Sequence, residues 1–401
     1  MHPELIDTLV IPNKTKIIFL IMDGLGGLPG PEGMTELETA QTPNLDTLAK
    51  KGVCGLLDPV GYGITPGSGP AHFALFGYDP VKNNIGRGIL EGAGIDFPMS
   101  EKDLLIRINF ATVNSDGIVI DRRAGRIDNE TNRRICKMLQ ENIPCDGDVE
   151  VIFQSVKEHR AVLVLRGDGL AEEIVETDPQ HTGMAPLAPR ALVSEAKYTE
   201  TILSSVIKRA GEVLSAEPKA NMMLLRGYAK YRKYPSLKDR YLLNALAIAS
   251  YPMYRGIARL LGMNIAGHTD TVAEEIALLR DHYSDYDFFF IHVKATDSRG
   301  EDGNFDGKVT VIEEFDALLP QITDLKPDVL VVTGDHSTPA VLASHSWHPV
   351  PVILSAPTCR PDMVVYFAER DCIRGGLGRM PMMYLMGQAL AHAKRLEKFG
   401  A

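Results

Sequence analysis

The sequence predicts an α/β protein whose main sheet is mostly parallel and carries helices on both faces. Three observations lead to this prediction: short runs of β-branched and aromatic residues, helical patterns between these runs, and turn residues at their boundaries. Strands that are apolar on both faces are typical of a parallel sheet buried between two helix layers. The alternation of strand and helix along the chain indicates the same class.

Four segments are predicted to be strands of this sheet. Lys16–Met22, Asp287–Val293 and Asp328–Thr333 are apolar on both faces. Val350–Ser355 is the fourth. Its Pro351 is expected at a sheet edge or at the start of a strand, because proline has no N–H to donate within a sheet.

Two segments carry helix start signals. Thr42 and Pro43 precede an apolar stripe that ends at Gly52, as expected of an N-cap, a proline in the first helical position and a glycine stop. Thr271 and Glu274 have the spacing of a capping box and precede a second apolar stripe. Both segments are therefore predicted to be helices.

The chain is long enough for two domains, since it has 401 residues and domains commonly have about 100–200. In residues 91–256 the predicted strands are shorter and arginine is locally frequent, and strongly apolar strands resume only near residue 287. We therefore predict that residues 91–256 form a smaller α/β domain inserted into an outer domain built from residues 1–90 and 257–401.

Composition and charge restrict the classes of function. Asp and Glu number 52 against 42 Lys and Arg, so the net charge of −10 gives no overall attraction to nucleic acid or to anionic membranes. No apolar run is long enough for a transmembrane helix, and no signal peptide is visible. Five cysteines without a C-x-x-C pair favour reduced thiols in a cytoplasmic protein.

Acidic residues follow three of the predicted strands. Asp23, Asp297 and Asp335 each come shortly after a strand, His336 is next to the last of them, and His345 precedes the fourth strand. Ligand sites of open parallel sheets lie beyond the carboxyl ends of the strands. Three carboxylates at one edge repel each other unless cations neutralise them. A single aspartate there is best explained as a cap, but three with attached histidines predict a binuclear site for Mn²⁺ or Zn²⁺.

The candidate nucleophile is Ser68, which lies between two glycines and ahead of a predicted helix at residues 71–76. Amides and the dipole at a helix N-terminus stabilise phosphate. A serine hydroxyl on a metal ion can lose its proton near neutral pH and attack phosphorus. An ordinary serine cap in a Gly-Pro loop explains this motif equally well.

Other common active-site motifs are missing. The segment after Asp23 fits a dinucleotide-binding fingerprint at two glycines, but Pro29 stands at the third glycine position. The sequence contains no G-x-x-x-x-G-K-[ST] and no G-x-S-x-G. Neither P-loop chemistry nor a serine esterase is therefore supported.

Arginines are concentrated in the predicted insert, with five in residues 121–134. Arginine suits phosphate and carboxylate recognition, although any single one is better explained by pairing on a solvated helix face. As a cluster they would complement a small molecule that carries both groups. The candidate substrate-binding residues are Arg122, Arg126, Arg160, His181 and Arg255.

Six motifs along the chain occur together in one known family. They are Asp23-Gly, Thr-Pro-Gly-Ser68, Phe-Gly-Tyr-Asp79-Pro, Gly-Arg87-Gly, Thr-Gly-Asp335-His336-Ser-Thr-Pro and His345 ahead of Pro-Val-Pro. This set resembles cofactor-independent phosphoglycerate mutase of the archaeal type, within the alkaline phosphatase superfamily. The resemblance covers essentially the whole chain and includes Arg-Gly-Gly-Leu-Gly-Arg379.

The resemblance implies a phosphatase-like, metal-binding outer domain with an alkaline-phosphatase-like sheet, and an inserted substrate-binding transferase domain. It implies interconversion of 2- and 3-phosphoglycerate in glycolysis and gluconeogenesis, through a phosphoserine at a dinuclear metal site and without bisphosphoglycerate. Ser68 would be the catalytic serine. One metal would be held by Asp23, Ser68, Asp335 and His336. The other would be held by Asp297, His345 and Glu301.

Glu301 departs from the family pattern, which usually has histidine four residues after the aspartate that matches Asp297. A carboxylate oxygen is a harder ligand than an imidazole nitrogen and disfavours zinc. We therefore expect two divalent ions, with Mn²⁺ preferred and Mg²⁺ or Zn²⁺ as alternatives.

Two rival functions remain at the sequence level. One is a phosphopentomutase-like or amino-alcohol kinase-like phosphotransferase, or a phosphohydrolase, acting on another small phosphoester; the insert would choose the acceptor. The other is a binding protein with a relic metal site, which the presence of Ser68 beside six candidate ligands disfavours. The expected partner is a phosphoglycerate, with no nucleic acid and no membrane.

Overall fold

The computed structural model describes residues 3–400, and the chain divides into two compact units. The larger unit takes the chain up to Asn84 and resumes at Pro235, and the inserted unit is Ile85–Tyr234. Each unit contains one β-sheet.

The described residues form fourteen strands. In chain order these are β1 (Ile17–Met22), β2 (Val53–Asp58), β3 (Asp103–Val113), β4 (Val119–Asp121), β5 (Cys145–Asp146), β6 (Val149–Lys157), β7 (Arg160–Arg166), β8 (Met222–Lys230), β9 (Ala245–Ala249), β10 (Asn264–Ile265), β11 (Phe288–Val293), β12 (Val329–Thr333), β13 (Val350–Ser355) and β14 (Gly378–Pro381).

The same residues form fourteen α-helices and four short 3₁₀ helices. The α-helices are α1 (Glu36–Thr39), α2 (Pro43–Lys51), α3 (Ser68–Leu75), α4 (Arg87–Gly94), α5 (Asn129–Asn142), α6 (Lys197–Leu214), α7 (Leu237–Tyr241), α8 (Pro252–Leu260), α9 (Val272–His282), α10 (Ala295–Glu301), α11 (Phe305–Leu318), α12 (Pro320–Thr323), α13 (Glu369–Cys372) and α14 (Leu385–His392). The 3₁₀ helices are Pro3–Thr8, Ala124–Arg126, Ser194–Ala196 and Met382–Tyr384. Within residues 3–400 none of the helices has the length and apolar character needed to span a bilayer.

The sheet of the larger unit has eight strands in the order β10-β9-β11-β1-β12-β13-β2-β14. All neighbours pair in parallel except at β13, which is antiparallel to both β12 and β2. The prediction of a mostly parallel sheet is therefore confirmed. Every residue of β1, β11 and β12 is buried, as expected of strands with helices on both faces.

The four predicted strands are present, and three of them begin one residue later than predicted. Lys16, Asp287 and Asp328 precede their strands, and the Asp328 side chain accepts a hydrogen bond from the Lys16 backbone N–H at 2.8 Å. Pro351 is the second residue of β13, and β13 lies inside the sheet between β12 and β2. Of the two positions predicted for this proline, the start of a strand is therefore the one observed.

Both predicted helix starts are also present. Pro43 is the first residue of α2, although the Thr42 side chain makes no capping hydrogen bond. Before α9, Thr271 and Glu274 form the predicted capping box, in which each side chain bonds the backbone N–H of the other residue.

The predicted insert of residues 91–256 differs from the inserted unit at both ends. Residues 85–90 belong to the inserted unit, because α4 packs against β3 and β8. Residues 235–256 belong to the larger unit, because β9 pairs with β11 in its sheet. The short, alanine-rich β9 was not recognised as a strand of the main sheet.

In the inserted unit the sheet has six strands, all paired antiparallel, in the order β4-β3-β7-β6-β5 with β8 also paired to β3. One face packs against α5 and α6 and buries Leu104, Ile106 and Ile108 of β3. Because successive side chains of a strand point to opposite faces, Arg107 and Asn109 lie on the other face.

Candidate metal centre and nucleophile

Four predicted ligands meet at the carboxyl edge of the sheet in the larger unit. Asp23 follows β1, Asp297 lies in the first turn of α10 after β11, and Asp335 and His336 follow β12. The strand β1 lies between β11 and β12, so its parallel neighbours bring all four side chains to one place. All four residues are fully buried.

Asp23, Asp335 and His336 form one group of possible metal ligands. The Nε2 atom of His336 is 3.4 Å from Asp23 Oδ1 and 3.2 Å from Asp335 Oδ2. Among the described residues, these two carboxylate oxygens are buried without a hydrogen-bond partner. Buried, unpaired carboxylate oxygens are strongly unfavourable, so this donor set fits a bound cation.

Asp297, His336 and His345 form a second group, whose ligand atoms lie within 4.8 Å of one another. His345 Nε2 is 3.6 Å from Asp297 Oδ1 and 3.8 Å from Glu301 Oε1. The other ring nitrogen of His345 is 3.0 Å from the carbonyl oxygen of Pro66, which leaves Nε2 facing the carboxylates. Glu301, at the end of α10, is about half exposed.

Ser68 is the first residue of α3, so the helix begins three residues before the predicted residue 71. Its Oγ atom is 3.4 Å from Nε2 of His336, the nitrogen that faces Asp23 and Asp335. The structure therefore brings the candidate nucleophile together with the first ligand group, at the N-terminal turn of a helix.

The pKa values of the two carboxylates in the first group are shifted in opposite directions. Burial opposes the charge of Asp23, but His292, Lys294 and His336 together hold the pKa of Asp23 well below its usual range. Burial and repulsion by Asp23 raise the pKa of Asp335 well above its usual range. Burial lowers the pKa of His336 to about 3, which keeps the ring neutral, the form that binds metals.

Lys294 connects the two ligand groups and was not recognised from the sequence. Its Nζ atom is 3.0 Å from Asp23 Oδ2 and 2.5 Å from Asp297 Oδ2. Burial opposes its charge, but these two carboxylates raise the pKa of Lys294 above its usual value. Lys294 comes directly after β11 and three residues before Asp297, and this position in the sequence could have marked it as a residue of the site.

Thr338 contacts two of the ligand side chains and Lys308 contacts the backbone of Thr338; neither residue was recognised from the sequence. Thr338 Oγ1 is 2.6 Å from Asp297 Oδ1 and 3.0 Å from Nδ1 of His336. Lys308 is fully buried and donates to the carbonyl oxygens of Thr338 at 2.9 Å and Gly26 at 3.1 Å. A hydrogen-bonding partner such as Thr338 fixes the orientation of metal ligands, and Lys308 holds the Thr338 backbone in place.

The inserted unit carries a separate arginine cluster on the sheet face that lacks α5 and α6. Arg107 of β3 lies directly opposite Arg226 of β8, and Arg160 is on the neighbouring strand β7. Glu91 of α4 is 3.3 Å from Arg107 and 3.8 Å from Arg160. Burial, reinforced by the positive charges of Arg160, Arg87 and Arg226, lowers the pKa of Arg107.

Arg122 joins this cluster through a shared carboxylate. Its guanidinium binds Asp178 in a bidentate pair at 2.9 and 2.7 Å, and Arg226 is 3.5 Å from the same carboxylate. The Nε atom of Arg226 is buried without a hydrogen-bond partner among the described residues. The arginines outnumber the two acidic partners, which suits binding of an anion.

Three other predicted substrate-binding residues lie elsewhere. Arg126 and His181 are exposed in the inserted unit. Arg255 belongs to the larger unit, not to the insert, and its Nη1 donates to the carbonyl oxygens of Ala249 and Ala266 at 3.1 Å each. A guanidinium that is bonded to backbone carbonyls in this way supports the fold locally.

Comparison with known proteins gives one consistent family. A family model described as 2,3-bisphosphoglycerate-independent phosphoglycerate mutase matches residues 49–220. A protein of Thermosipho melanesiensis, described as a probable 2,3-bisphosphoglycerate-independent phosphoglycerate mutase, is 48% identical over 398 residues, 99% of each chain. A protein of Thermus thermophilus with the same description is 49% identical over 391 residues, 96% of each chain.

Two solved structures from archaea are also similar over nearly the whole chain. A protein from Pyrococcus horikoshii has a TM-score of 0.80 at 29% identity, and the match covers 97% of this chain and 100% of that one. A cofactor-independent phosphoglycerate mutase from Thermoplasma acidophilum has a TM-score of 0.72 at 27% identity, with 94% and 100% covered. The similarity therefore extends through both units.

Proposed function

The chain belongs to the 2,3-bisphosphoglycerate-independent phosphoglycerate mutase family, and we propose that it works through a phosphoserine formed at Ser68. The enzyme interconverts 2-phosphoglycerate and 3-phosphoglycerate without bisphosphoglycerate. The observation that supports Ser68 is its Oγ atom 3.4 Å from Nε2 of His336, beside the buried carboxylates of Asp23 and Asp335.

In the first step, the Ser68 oxygen attacks phosphorus of 3-phosphoglycerate and the bond from phosphorus to the C3 oxygen breaks. The serine loses its proton and the released glycerate oxygen gains one. In the second step, the C2 hydroxyl of the same glycerate attacks the phosphoserine, which returns Ser68 to its hydroxyl form. Retention of the glycerate between the two steps makes the reaction an isomerisation rather than a hydrolysis.

Two divalent ions are proposed at this centre. The first would be held by Asp23, Asp335 and His336 with Ser68, and the second by Asp297, His345 and Glu301. Such ions, when bound, neutralise phosphoryl oxygens and lower the pKa of a bound hydroxyl. Mn²⁺ is the preferred ion in this proposal, because carboxylate oxygens outnumber imidazole nitrogens in the set.

The arginine cluster of the inserted unit is the proposed recognition site for the anionic substrate. Arg107, Arg160 and Arg226 share one sheet face, and within residues 3–400 their acidic partners are Glu91 and Asp178. Forked guanidinium groups bind carboxylate or phosphate in a bidentate manner. This set replaces Arg126, His181 and Arg255 as the leading candidates, and it retains Arg160 and Arg122 from the sequence prediction.

The chemistry is tested by supplying purified enzyme and Mn²⁺ with 3-phosphoglycerate and no bisphosphoglycerate. Formation of 2-phosphoglycerate, followed by coupling to enolase, is the expected result. Inorganic phosphate as the main product would contradict the mutase mechanism. The five free cysteines suit a reducing compartment, so we propose that the enzyme acts in the cytoplasm.

A further inference from the structure

The hydroxyl group of Tyr254 contacts one of the proposed metal ligands, although no sequence motif marks this residue. Tyr254 belongs to α8, which begins at Pro252, shortly after β9 ends at the carboxyl edge of the sheet. Its side chain is fully buried. An ionised carboxylate only accepts hydrogen bonds, so the phenol donates its single proton to Oδ2 of Asp23, at 2.5 Å.

The two oxygen atoms of the Asp23 carboxylate have different surroundings. Oδ2 accepts hydrogen bonds from Tyr254 at 2.5 Å and from Nζ of Lys294 at 3.0 Å. Each carboxylate oxygen has two lone pairs that accept hydrogen bonds, so these two donors fill the positions of Oδ2. Oδ1 has no hydrogen-bond partner within residues 3–400, and it lies 3.4 Å from Nε2 of His336. Oδ1 is therefore the oxygen of Asp23 that is available to a cation.

Tyr254 is the more rigid of the two donors. Its ring lies against the ring of His292, with centroids 3.7 Å apart and planes inclined by 32°, and against the ring of His72, at 4.6 Å and 34°. These contacts involve the ring and not the hydroxyl, so they hold the phenol oxygen in place independently of its hydrogen bond. The ammonium group of Lys294 ends a flexible chain and is shared with Asp297, whose Oδ2 it contacts at 2.5 Å.

The two donors also differ in charge. The ammonium group of Lys294 is positive, so it competes with a metal ion for the negative charge of Asp23. The phenol of Tyr254 binds the same oxygen without adding a positive charge. A neutral donor of this kind fixes the carboxylate and leaves its charge for the ion.

We propose that Tyr254 is a positioning residue of the metal centre, whose phenol engages Oδ2 of Asp23 and thereby directs Oδ1 to the first metal ion. This inference rests on the proposed function, in which Asp23 is a ligand of that ion. Loss of a hydrogen-bonding partner of a metal ligand typically lowers metal affinity about 10- to 100-fold. Tyr254 would thus act on the reaction through the ion and not through the substrate.

The substitution Tyr254→Phe tests the proposal, because it removes the hydroxyl and keeps the stacked ring. We expect one of the two Mn²⁺-binding events measured by isothermal titration calorimetry to weaken about 10- to 100-fold, and the other to stay within about twofold of wild type. Tyr251→Phe is the matched control, because the ring of Tyr251 is the neighbouring one, 5.6 Å from that of Tyr254. This control variant should bind Mn²⁺ as the wild type does.

Two further measurements distinguish positioning of Asp23 from general support of the fold. Stabilisation by a ligand depends on the ratio of its concentration to its Kd, so Tyr254→Phe should need about 10- to 100-fold more Mn²⁺ than wild type for the same rise in melting temperature. A residue that only supports the fold would lower the melting temperature of the metal-free protein and leave this concentration dependence unchanged. The kcat of the variant should recover to within about twofold of wild type at saturating Mn²⁺.

Three results would overturn the proposal. They are an unchanged Mn²⁺ affinity in Tyr254→Phe, an unchanged dependence of its melting temperature on Mn²⁺ concentration, and a kcat that stays low at saturating Mn²⁺.

The assay for 2-phosphoglycerate tests the proposed function separately. If the wild type binds Mn²⁺ but does not convert 3-phosphoglycerate, the proposed function is wrong, and the calorimetry still decides the role of Tyr254. If the wild type is active and Tyr254→Phe binds Mn²⁺ as tightly as the wild type does, only the inference about Tyr254 is wrong.

Discussion

Nδ1 of His336 lies 3.0 Å from the hydroxyl oxygen of Thr338, which itself donates to Asp297 at 2.6 Å. One hydroxyl thus contacts a histidine of the first ligand group and the carboxylate of the second. The contact leaves Nε2 of His336 directed at Asp23 and Asp335. The two groups are therefore coupled through their supporting residues as well as through shared ligands.

This coupling gives a prediction for Thr338→Val, which removes the hydroxyl and retains a β-branched side chain of similar shape. We expect Mn²⁺ affinity to fall about 10- to 100-fold, as is usual when the partner of a metal ligand is lost. Isothermal titration calorimetry measures the change. Thr310→Val is the matched control, because Thr310 lies on the exposed side of α11 and bonds only within its helix. Equal Mn²⁺ affinities for the two variants would contradict the coupling.

Glu301 gives a prediction about metal preference. In Glu301→His the second ligand group exchanges a carboxylate oxygen for an imidazole nitrogen, which is a better ligand for zinc. We expect the ratio of Zn²⁺- to Mn²⁺-supported activity to rise about 10-fold or more. Glu314→His, the same change at an exposed position of α11, should leave the ratio unchanged. The proposal that Glu301 ligates a metal is wrong if both variants keep the wild-type ratio.

Arg107 gives a prediction about substrate recognition. Arg107→Met keeps an apolar stem of similar length and leaves Glu91 paired with Arg160, so the fold should be retained. We expect the KM for 3-phosphoglycerate to rise about 10- to 100-fold through loss of a charge-assisted contact. Arg134→Met provides the comparison, because Arg134 binds Glu217 elsewhere in the inserted unit. Similar KM values for the two variants would remove Arg107 from the substrate site.

Glu275 predicts a dependence of stability on pH that is independent of the metal centre. Burial raises the pKa of Glu275 to about 8, and a hydrogen bond from Ser250 at 3.1 Å offsets only part of this effect. The carboxyl is thus protonated in the folded protein at neutral pH but ionised in the unfolded chain. The contribution of this carboxyl to the free energy of unfolding is complete below the pKa that Glu275 has in the unfolded chain. It is lost as the pH rises through the pKa that Glu275 has in the folded protein.

We therefore expect the free energy of unfolding of the wild type to fall, relative to Glu275→Gln, by about 4 kcal/mol at most between about pH 5 and pH 8. Glutamine keeps the shape and stays neutral, so the variant lacks this dependence. Urea unfolding at several pH values measures both proteins. Parallel curves of stability against pH would show that Glu275 ionises normally in the folded state.

The site residues that could be predicted from the sequence are those that lie just after the ends of strands. Asp23, Asp297 and Asp335 each follow an apolar strand that is easily recognised, and parallel pairing then brings them together. Arg107 and Arg226 could not be paired in this way, because 118 residues of chain separate them and only the antiparallel β3–β8 register places them opposite each other. Tyr254, whose hydroxyl donates to Asp23 Oδ2 at 2.5 Å, was missed for a similar reason: an aromatic residue in a helix is best explained as core until its partners are known.

The pattern of apolar residues in the sequence also could not locate the ends of the inserted unit. The β9 strand is only Ala245–Ala249, and such a small apolar run does not distinguish a strand of the main sheet from a strand of the insert. Its pairing with β11, which assigns it to the larger unit, is a long-range contact. The local periodicity of apolar residues does not predict a pairing between strands that are far apart in the sequence.

The most direct measurement is acid quenching of the enzyme during turnover of 3-phosphoglycerate with Mn²⁺, followed by mass spectrometry of its peptides. We expect one phosphoryl group on the peptide that contains Ser68, and none on that peptide in Ser68→Ala, which should also be inactive. A fully active enzyme whose phosphate is found on another residue, or an active Ser68→Ala, would contradict phosphoryl transfer through Ser68.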